Sequence, residues 1–323
     1  MTRQSLGFDN FTLALFGVVL TASLLPVQGA LAQVFSALTT VAIAILFFLH
    51  GARLSREAIL AGASHWRLHL VVFSATFILF PILGVALRPL LQPLITPELY
   101  LGVMFICAVP ATVQSSIAFT SIARGNIAAA VCSASASSLI GVFLTPVLAG
   151  LLLGGEVSGG DPMQAIGKIM LQLLVPFALG HALRPVIGGW VDRHRPVLKF
   201  FDQGSILMVV YLAFSEAVRQ GLWRQVPGQA LAGLLAVSAI LLALALLATR
   251  TAARVLRFKV EDEITTVFCG SKKSLASGVP MAQVMFPGHA VGVILLPLMI
   301  FHQLQLMVCA VLAERYARRR DSF

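Results

Sequence analysis

Cys269-Gly-Ser-Lys-Lys-Ser-Leu-Ala276 decides how this chain is read. Its two adjacent lysines sit inside an otherwise apolar segment, Ile264 to Phe286, which is long enough to cross a bilayer. A lysine deep in a membrane helix costs roughly 2.5–3.5 kcal/mol on insertion scales. Two in a row persist only beside a partner, a wet cavity or a substrate. The glycine and serines around them also weaken the helix at the same place. A broken helix with charge at mid-membrane is a recurrent form of binding site in secondary transporters.

The rest of the chain agrees with a membrane setting. Of 323 residues, 58% are hydrophobic and 11% charged, and the mean hydropathy is +0.92. Soluble domains carry about 25% charged residues. Ten candidate spans are legible, near residues 9–27, 34–52, 67–90, 98–123, 126–153, 163–187, 203–222, 229–253, 261–286 and 289–313. Long runs with Gly, Ala and Ser interleaved point to an all-α polytopic membrane protein. A β-barrel would show alternating segments of about ten residues instead. Arg3, the apolar run to Leu25 and Gly29-Ala-Leu-Ala-Gln33 imitate a secretory signal. Asp9 and the charge alternation below favour a first span.

The net charge of +10 does not point to nucleic acid, because of where the charge lies. With the N-terminus in the cytoplasm, 17 of the 23 basic residues fall on cytoplasmic segments, among them Arg53, Arg56, Arg124, Arg184, Arg250, Arg254 and Arg315 to Arg320. Arg88, Arg219 and Arg224 fall on the other side, and Lys168, Lys272 and Lys273 lie within spans. This bias predicts both termini in the cytoplasm and an even number of spans. It orients the chain in its membrane, with the Arg315–Arg320 tail touching anionic lipid. Cys107, Cys132, Cys269 and Cys309 all fall within spans and show no metal or disulfide spacing, so they read as small buried residues.

Gly154-Gly-Glu-Val-Ser-Gly-Gly-Asp-Pro162 divides the chain into residues 1–155 and 156–323, with five spans each. An odd-numbered unit followed by its copy enters the membrane in opposite orientations, so an inverted repeat is expected. The fourth span of each half is the unusual one. Gln114-Ser-Ser-Ile-Ala118 aligns with Lys272-Lys-Ser-Leu-Ala276, with Pro110 before the first cluster and Pro280 after the second. Proline removes a backbone donor and bends or breaks a helix. Two such helices meeting at mid-membrane would present N-terminal ends to anions and C-terminal carbonyls to cations.

At these residues the chain resembles the bile acid:sodium symporter superfamily, most closely its bacterial YfeH-type branch, which is related to the seventh member of vertebrate solute carrier family ten. The likeness covers nearly the whole chain. It is carried by Phe47-Phe-Leu-His-Gly-Ala-Arg-Leu-Ser-Arg56, Pro110-Ala-Thr-Val-Gln-Ser-Ser-Ile-Ala-Phe-Thr-Ser121, Cys132-Ser-Ala-Ser-Ala-Ser-Ser138, Asp262 to Ala276 and Pro297 to Gln305. The resemblance implies ten transmembrane helices in two inverted five-helix repeats, with helices 4 and 9 broken and crossing. Helices 1, 2, 6 and 7 would form a panel domain, and 3, 4, 5, 8, 9 and 10 a core domain. Substrate would bind between them, and alternating access would follow from their rigid-body movement.

The departures from the family pattern are informative. Phe268 takes the place of a carboxylate in sodium-coupled relatives, Lys272 and Lys273 replace two amides, and Ala130 and Ala134 fall where hydroxyl ligands stand. An ammonium repels sodium, which argues against both family sodium sites. A buried amine is disfavoured in its charged form, which leaves a proton as the candidate coupling ion. No metal or organic cofactor is expected. The expected function is secondary transport of a small carboxylate-type organic anion. The substrate-binding set is Thr112, Gln114, Ser115, Ser116, Ser271, Lys272, Lys273, Ser274, His302 and Gln303, with Ser133 and Ser135 as polar lining on helix 5. Lys273 is expected to face substrate and Lys272 to pack against the crossing. A second reading keeps the fold in a non-transporting regulator of ion or calcium homeostasis, with the lysines as internal counter-charges to helix C-termini. An enzyme is not expected: no His-Glu-x-x-His motif and no acidic pair lies mid-membrane.

Overall fold

The computed structural model describes residues 10–53, 65–153, 162–286 and 290–319. The Gly-rich break after residue 153, Arg3, Arg56, Arg320 and the side chain of Lys168 lie outside the described residues. Every regular element among the described residues is a helix. Besides two four-residue turns of helix, Arg88–Leu91 and Leu222–Gln225, they are α1 (Asn10–Leu24), α2 (Gly29–Arg53), α3 (Trp66–Ala86), α4a (Pro97–Ala108), α4b (Val113–Ile122), α5 (Ile127–Leu153), α6 (Pro162–Arg193), α7 (Arg195–Arg219), α8 (Gly228–Val255), α9a (Val260–Gly270), α9b (Leu275–Met285) and α10 (Val291–Ala317).

Helices stand at all ten expected positions, but length separates them. Seven described helices are long and apolar enough to cross a membrane, and α4a with α4b makes an eighth if the pair, bent by 64°, is one span. At 15 residues α1 reaches only about 22 Å, short of a hydrocarbon core of about 30 Å. The pieces α9a and α9b have 11 residues each. Two sequence expectations change. Residues 188–202, which lie between two expected spans, continue α6 and start α7 with a single turn at His194 between them. Pro280 lies inside α9b, so the break in this span comes from Ser271–Ser274 rather than from proline.

Large apolar side chains face outward along the helices, including Leu20, Leu31, Leu151, Leu171 and Val186. In water such a surface would be a liability; in lipid it is the required exterior. Inside, contact between helices rests on small residues. Helices α2 and α6 pack along their lengths. A Cβ on Gly51 would strike the carbonyl of Phe177, and one on Gly180 would strike the carbonyl of Phe48. Each helix therefore offers a glycine to the other's backbone, the close approach that membrane helices use in place of hydrophobic drive. Helix α7 packs on α1 and α2, while α9a is surrounded by α3, α4b, α5 and α8. Helix α4a lies on α10, and α9b touches α6, α7 and α10.

Helix α3 contains a π-helical stretch, Ala75–Leu79. The Phe80 N–H reaches back five residues to Ala75 O. The next donor in that pattern would be residue 81, a proline without an N–H. Thr76 O is thus left for another partner, which shapes the site below.

Gly51→Val and Gly180→Val should each lower thermal stability in detergent by about 1–3 kcal/mol through overpacking. Gly17→Ala, at a position with open space for a Cβ, should change it by less than about 1 kcal/mol. Unfolding curves of the three variants check this.

Candidate functional site

Spans 4 and 9 are both interrupted, at Val109–Thr112 and at Ser271–Ser274. The two interruptions are joined directly: the Ser274 N–H donates to Pro110 O at 2.9 Å, and the Thr112 hydroxyl donates to Lys273 O at 2.8 Å. A break inside a membrane protein exposes backbone groups that lipid cannot satisfy. The surrounding helices supply partners one by one. Thr145 Oγ1 donates to Ala108 O at 3.0 Å, and the Ala111 N–H donates to Ser137 Oγ at 3.1 Å, both from side chains on α5. Close contact with α5 is also steric, because a Cβ on Gly141 would meet the Pro110 ring at 2.5 Å.

Lys273 completes this accounting. Its Nζ donates to Thr76 O at 2.8 Å, Cys107 O at 3.1 Å and Val109 O at 2.9 Å. These are the carbonyl left over by Pro81 and two carbonyls at the C-terminal end of α4a, where the helix dipole is negative. The Phe80 ring lies 4.2 Å from the ammonium. All three donors of the ammonium are used, and the residue is fully buried. The expectation that Lys273 faces substrate therefore does not match this arrangement. Gln305 of α10 secures the same residue's backbone: Oε1 accepts from Lys273 N–H and Nε2 donates to Lys273 O, both at 2.9 Å.

Lys272 is also fully buried but less fully paired. Its Nζ donates to Ser115 O at 2.9 Å and lies 3.8 Å from the Phe119 ring centroid and 5.5 Å from that of Phe268. The faces of aromatic rings attract a cation, but they leave the ammonium with N–H capacity that no oxygen takes. Beside it, Ser115 Oγ is buried without a hydrogen-bond partner among the described residues. Helix α4b starts at Thr112 with no side-chain cap on its first N–H groups, and Gln114 in that first turn is exposed.

The other expected residues divide into structural and accessible groups. Ser116 Oγ donates to Phe268 O at 3.1 Å, and Ser271 Oγ to Val267 O at 2.6 Å; both are sealed inside. Ser274 caps α9b by accepting from Ser277 N–H. Ser133 pairs with His69 Nδ1 at 2.6 Å, so it is committed to α3. Ser135 is half-buried on α5. His302 Nδ1 meets Gln305 Nε2 at 2.9 Å, and His302 and Gln303 are both half-buried. Sequence reasoning did not find Thr76, Thr145, Ser137 or His69. Pro81, inside the same span and five residues past Thr76, was the available signal for Thr76. Asp262 and Glu263, read as caps, also act across helices: Asp262 accepts from Asn126 Nδ2 at 2.8 Å, and Glu263 binds Arg250, Arg254 and the Tyr316 hydroxyl. The four cysteines are buried and unbridged.

Residues 9–318 match the model of the SBF-like CPA transporter family. An uncharacterized protein of Pseudomonas aeruginosa is 64% identical over 321 residues, 99% of this chain and 96% of the relative. Escherichia coli YfeH, named as a candidate symporter, is 56% identical over 313 residues, 97% and 94% of the two chains. Sodium/bile acid cotransporter 7 of Rattus norvegicus is 29% identical over 279 residues, 84% and 81% of the two chains.

Gln305→Leu keeps volume but leaves Lys273 N–H and one donor to Lys273 O unmet. At about 1–3 kcal/mol for each buried group left without a partner, it should lower stability in detergent by about 2–4 kcal/mol, while Gln303→Leu, away from these bonds, should have a smaller effect.

Proposed function

The chain belongs to the SBF-like CPA transporter family, and on that premise we propose that it is a secondary transporter of a small carboxylate-type organic anion with a built-in cation in place of bound sodium. The observation that carries this reading is the Lys273 ammonium held by Thr76 O, Cys107 O and Val109 O. Three converging carbonyl oxygens, two of them at a helix C-terminus, suit a small hard cation. Here the cation is covalent and does not leave, so sodium has no role at this position. A proton remains the proposed coupling ion.

The roles of the two lysines are exchanged relative to the sequence expectation. Lys273 fastens the crossing. Lys272, with spare donors, the unpartnered Ser115 hydroxyl and the uncapped start of α4b, is the proposed anion contact. Gln114, His302 and Gln303 supply accessible polar groups around it. In this arrangement Lys272 is closed off, and alternating access would uncover it. Contacts run within the proposed panel, between α2 and α6 and between α7 and both α1 and α2, and within the proposed core; α7 also packs on α9b and α10, and α6 on α5 and α9b, which would be the surfaces between the two. The proposal includes a panel and a core, ten spans in two inverted halves, and cytoplasmic termini in a bacterial inner membrane. A second reading, a regulator that keeps the fold without transport, draws on the saturation of Lys273, which leaves that residue no capacity for a ligand.

The test is uptake into proteoliposomes of those small carboxylates, with taurocholate included, that raise the melting temperature. Uptake driven by an imposed proton gradient and indifferent to sodium is expected. Lys272→Gln should abolish it or raise KM at least about tenfold, in line with a lost charged contact worth roughly 1.5–3 kcal/mol, while the protein remains folded. Sodium-driven uptake would refute the built-in cation. Absence of both ligand and uptake across the panel would favour the regulator.

A further inference from the structure

We infer that the groove between α8, α9a and α10 binds one anionic phospholipid, with its phosphate among Arg250, Arg315 and Arg319 and an acyl chain along the apolar floor. The groove encloses about 540 Å³. Leu246 and Leu247 of α8, Val267 of α9a and Leu312 of α10 form its walls, and the three arginines stand at one end. The inference is independent of which substrate the chain carries.

Charge at the mouth is unbalanced in the direction an anion needs. Glu263 takes Arg250 and Arg254 at 3.4 and 3.3 Å, and Glu261 takes Arg319 at 3.4 Å. Two carboxylates thus face four guanidinium groups. Arg315 has no acidic partner among the described residues, since the neighbouring Glu314 pairs with Arg318 at 3.8 Å. Guanidinium groups bind phosphate oxygens through paired N–H donors. One phosphodiester would occupy Arg315 and share Arg250 with Glu263, while Arg319, whose Nη1 and Nη2 donate to the Ala123, Tyr316 and Arg124 carbonyls and to Glu261, would offer its Nε and its positive field.

Depth selects a lipid over a free anion. From Arg250 to Ala243 the α8 wall descends about 10 Å, and from the end of α10 at Ala317 to Val308 the α10 wall descends about 13 Å at 1.5 Å per residue. That is about half of a hydrocarbon core. A soluble phosphate would use the mouth and leave this apolar length uncovered; an acyl chain covers it. Val267 and Glu263 both belong to α9a, whose far end is the Lys272–Lys273 break. A lipid seated here would therefore touch the segment that positions both lysines.

The full chain, purified in detergent, would be titrated with phosphatidylglycerol, phosphatidylcholine or inorganic phosphate and followed by native mass spectrometry and thermal unfolding. Retention of one phosphatidylglycerol in preference to phosphatidylcholine is expected. Arg315→Gln should weaken it about fivefold, the value of one basic residue near an anionic headgroup. Leu247→Trp, which fills the groove from an exposed position without touching a charge, should weaken it too, at an unchanged melting temperature. Arg224→Gln, outside the groove, should leave it intact. Equal retention of both lipids, or phosphatidylglycerol binding unaffected by Arg315→Gln and Leu247→Trp, would overturn the assignment. So would stabilisation by inorganic phosphate equal to that by phosphatidylglycerol, because the site would then belong to the free anion.

Discussion

The Lys273 ammonium sits where two chain segments run out of backbone donors. Helix α3 lacks one because Pro81 follows its π-helical stretch, and α4a lacks them because it ends inside the protein. A carbonyl without a partner in lipid costs free energy, and so does an ammonium without one. Three of the first and one of the second cancel each other's cost when they meet at 2.8–3.1 Å. Neither feature would be tolerable alone, and the break in span 4 depends on a residue 164 positions away in span 9.

Around this contact the remaining bonds follow as consequences. Once Lys273 is placed, its own peptide group must be satisfied, and Gln305 and Thr112 do so. The end of α4a still has Ala108 O to satisfy, and Thr145 from α5 answers it. These bonds tie α3, α4a, α4b, α5, α9b and α10 to one point. Helices α2 and α6, joined to each other through paired glycines, form a separate close contact. The neighbouring lysines also differ. Residues 272 and 273 leave the chain in different directions, and only the latter reaches the carbonyls; the former finds ring faces and a single oxygen.

Much of this was legible in the residues. The lysine pair marked the break in span 9, the Gln114-Ser-Ser cluster marked its counterpart, and the apolar runs located every helix. The sequence could not say which lysine meets which carbonyl, because acceptors on the backbone carry no residue-type signature. Thr145 and Ser137 looked like ordinary small residues on a packing face, and their roles appear only when α5 lies against the break. Pro280 misled in the other direction: proline within a helix is tolerated when its missing bond lies where neighbours pack, and here the helix passes through it. The span count was also coarser in the structure than in the sequence, since α1 is short and span 9 consists of two short pieces.

The central claim, that a covalently held cation fills an oxygen cage at the crossing, is tested most directly by emptying the cage and returning the cation. Lys273→Ala removes a fragment equivalent to propylammonium. The account predicts that this variant unfolds well below the parent, by about 3–5 kcal/mol, because three buried carbonyls lose their donor at about 1–3 kcal/mol each, and that millimolar propylammonium restores part of the loss while propanol, of similar size but uncharged, does not. A Lys273→Ala protein as stable as the parent, or rescued equally by propanol, would contradict it.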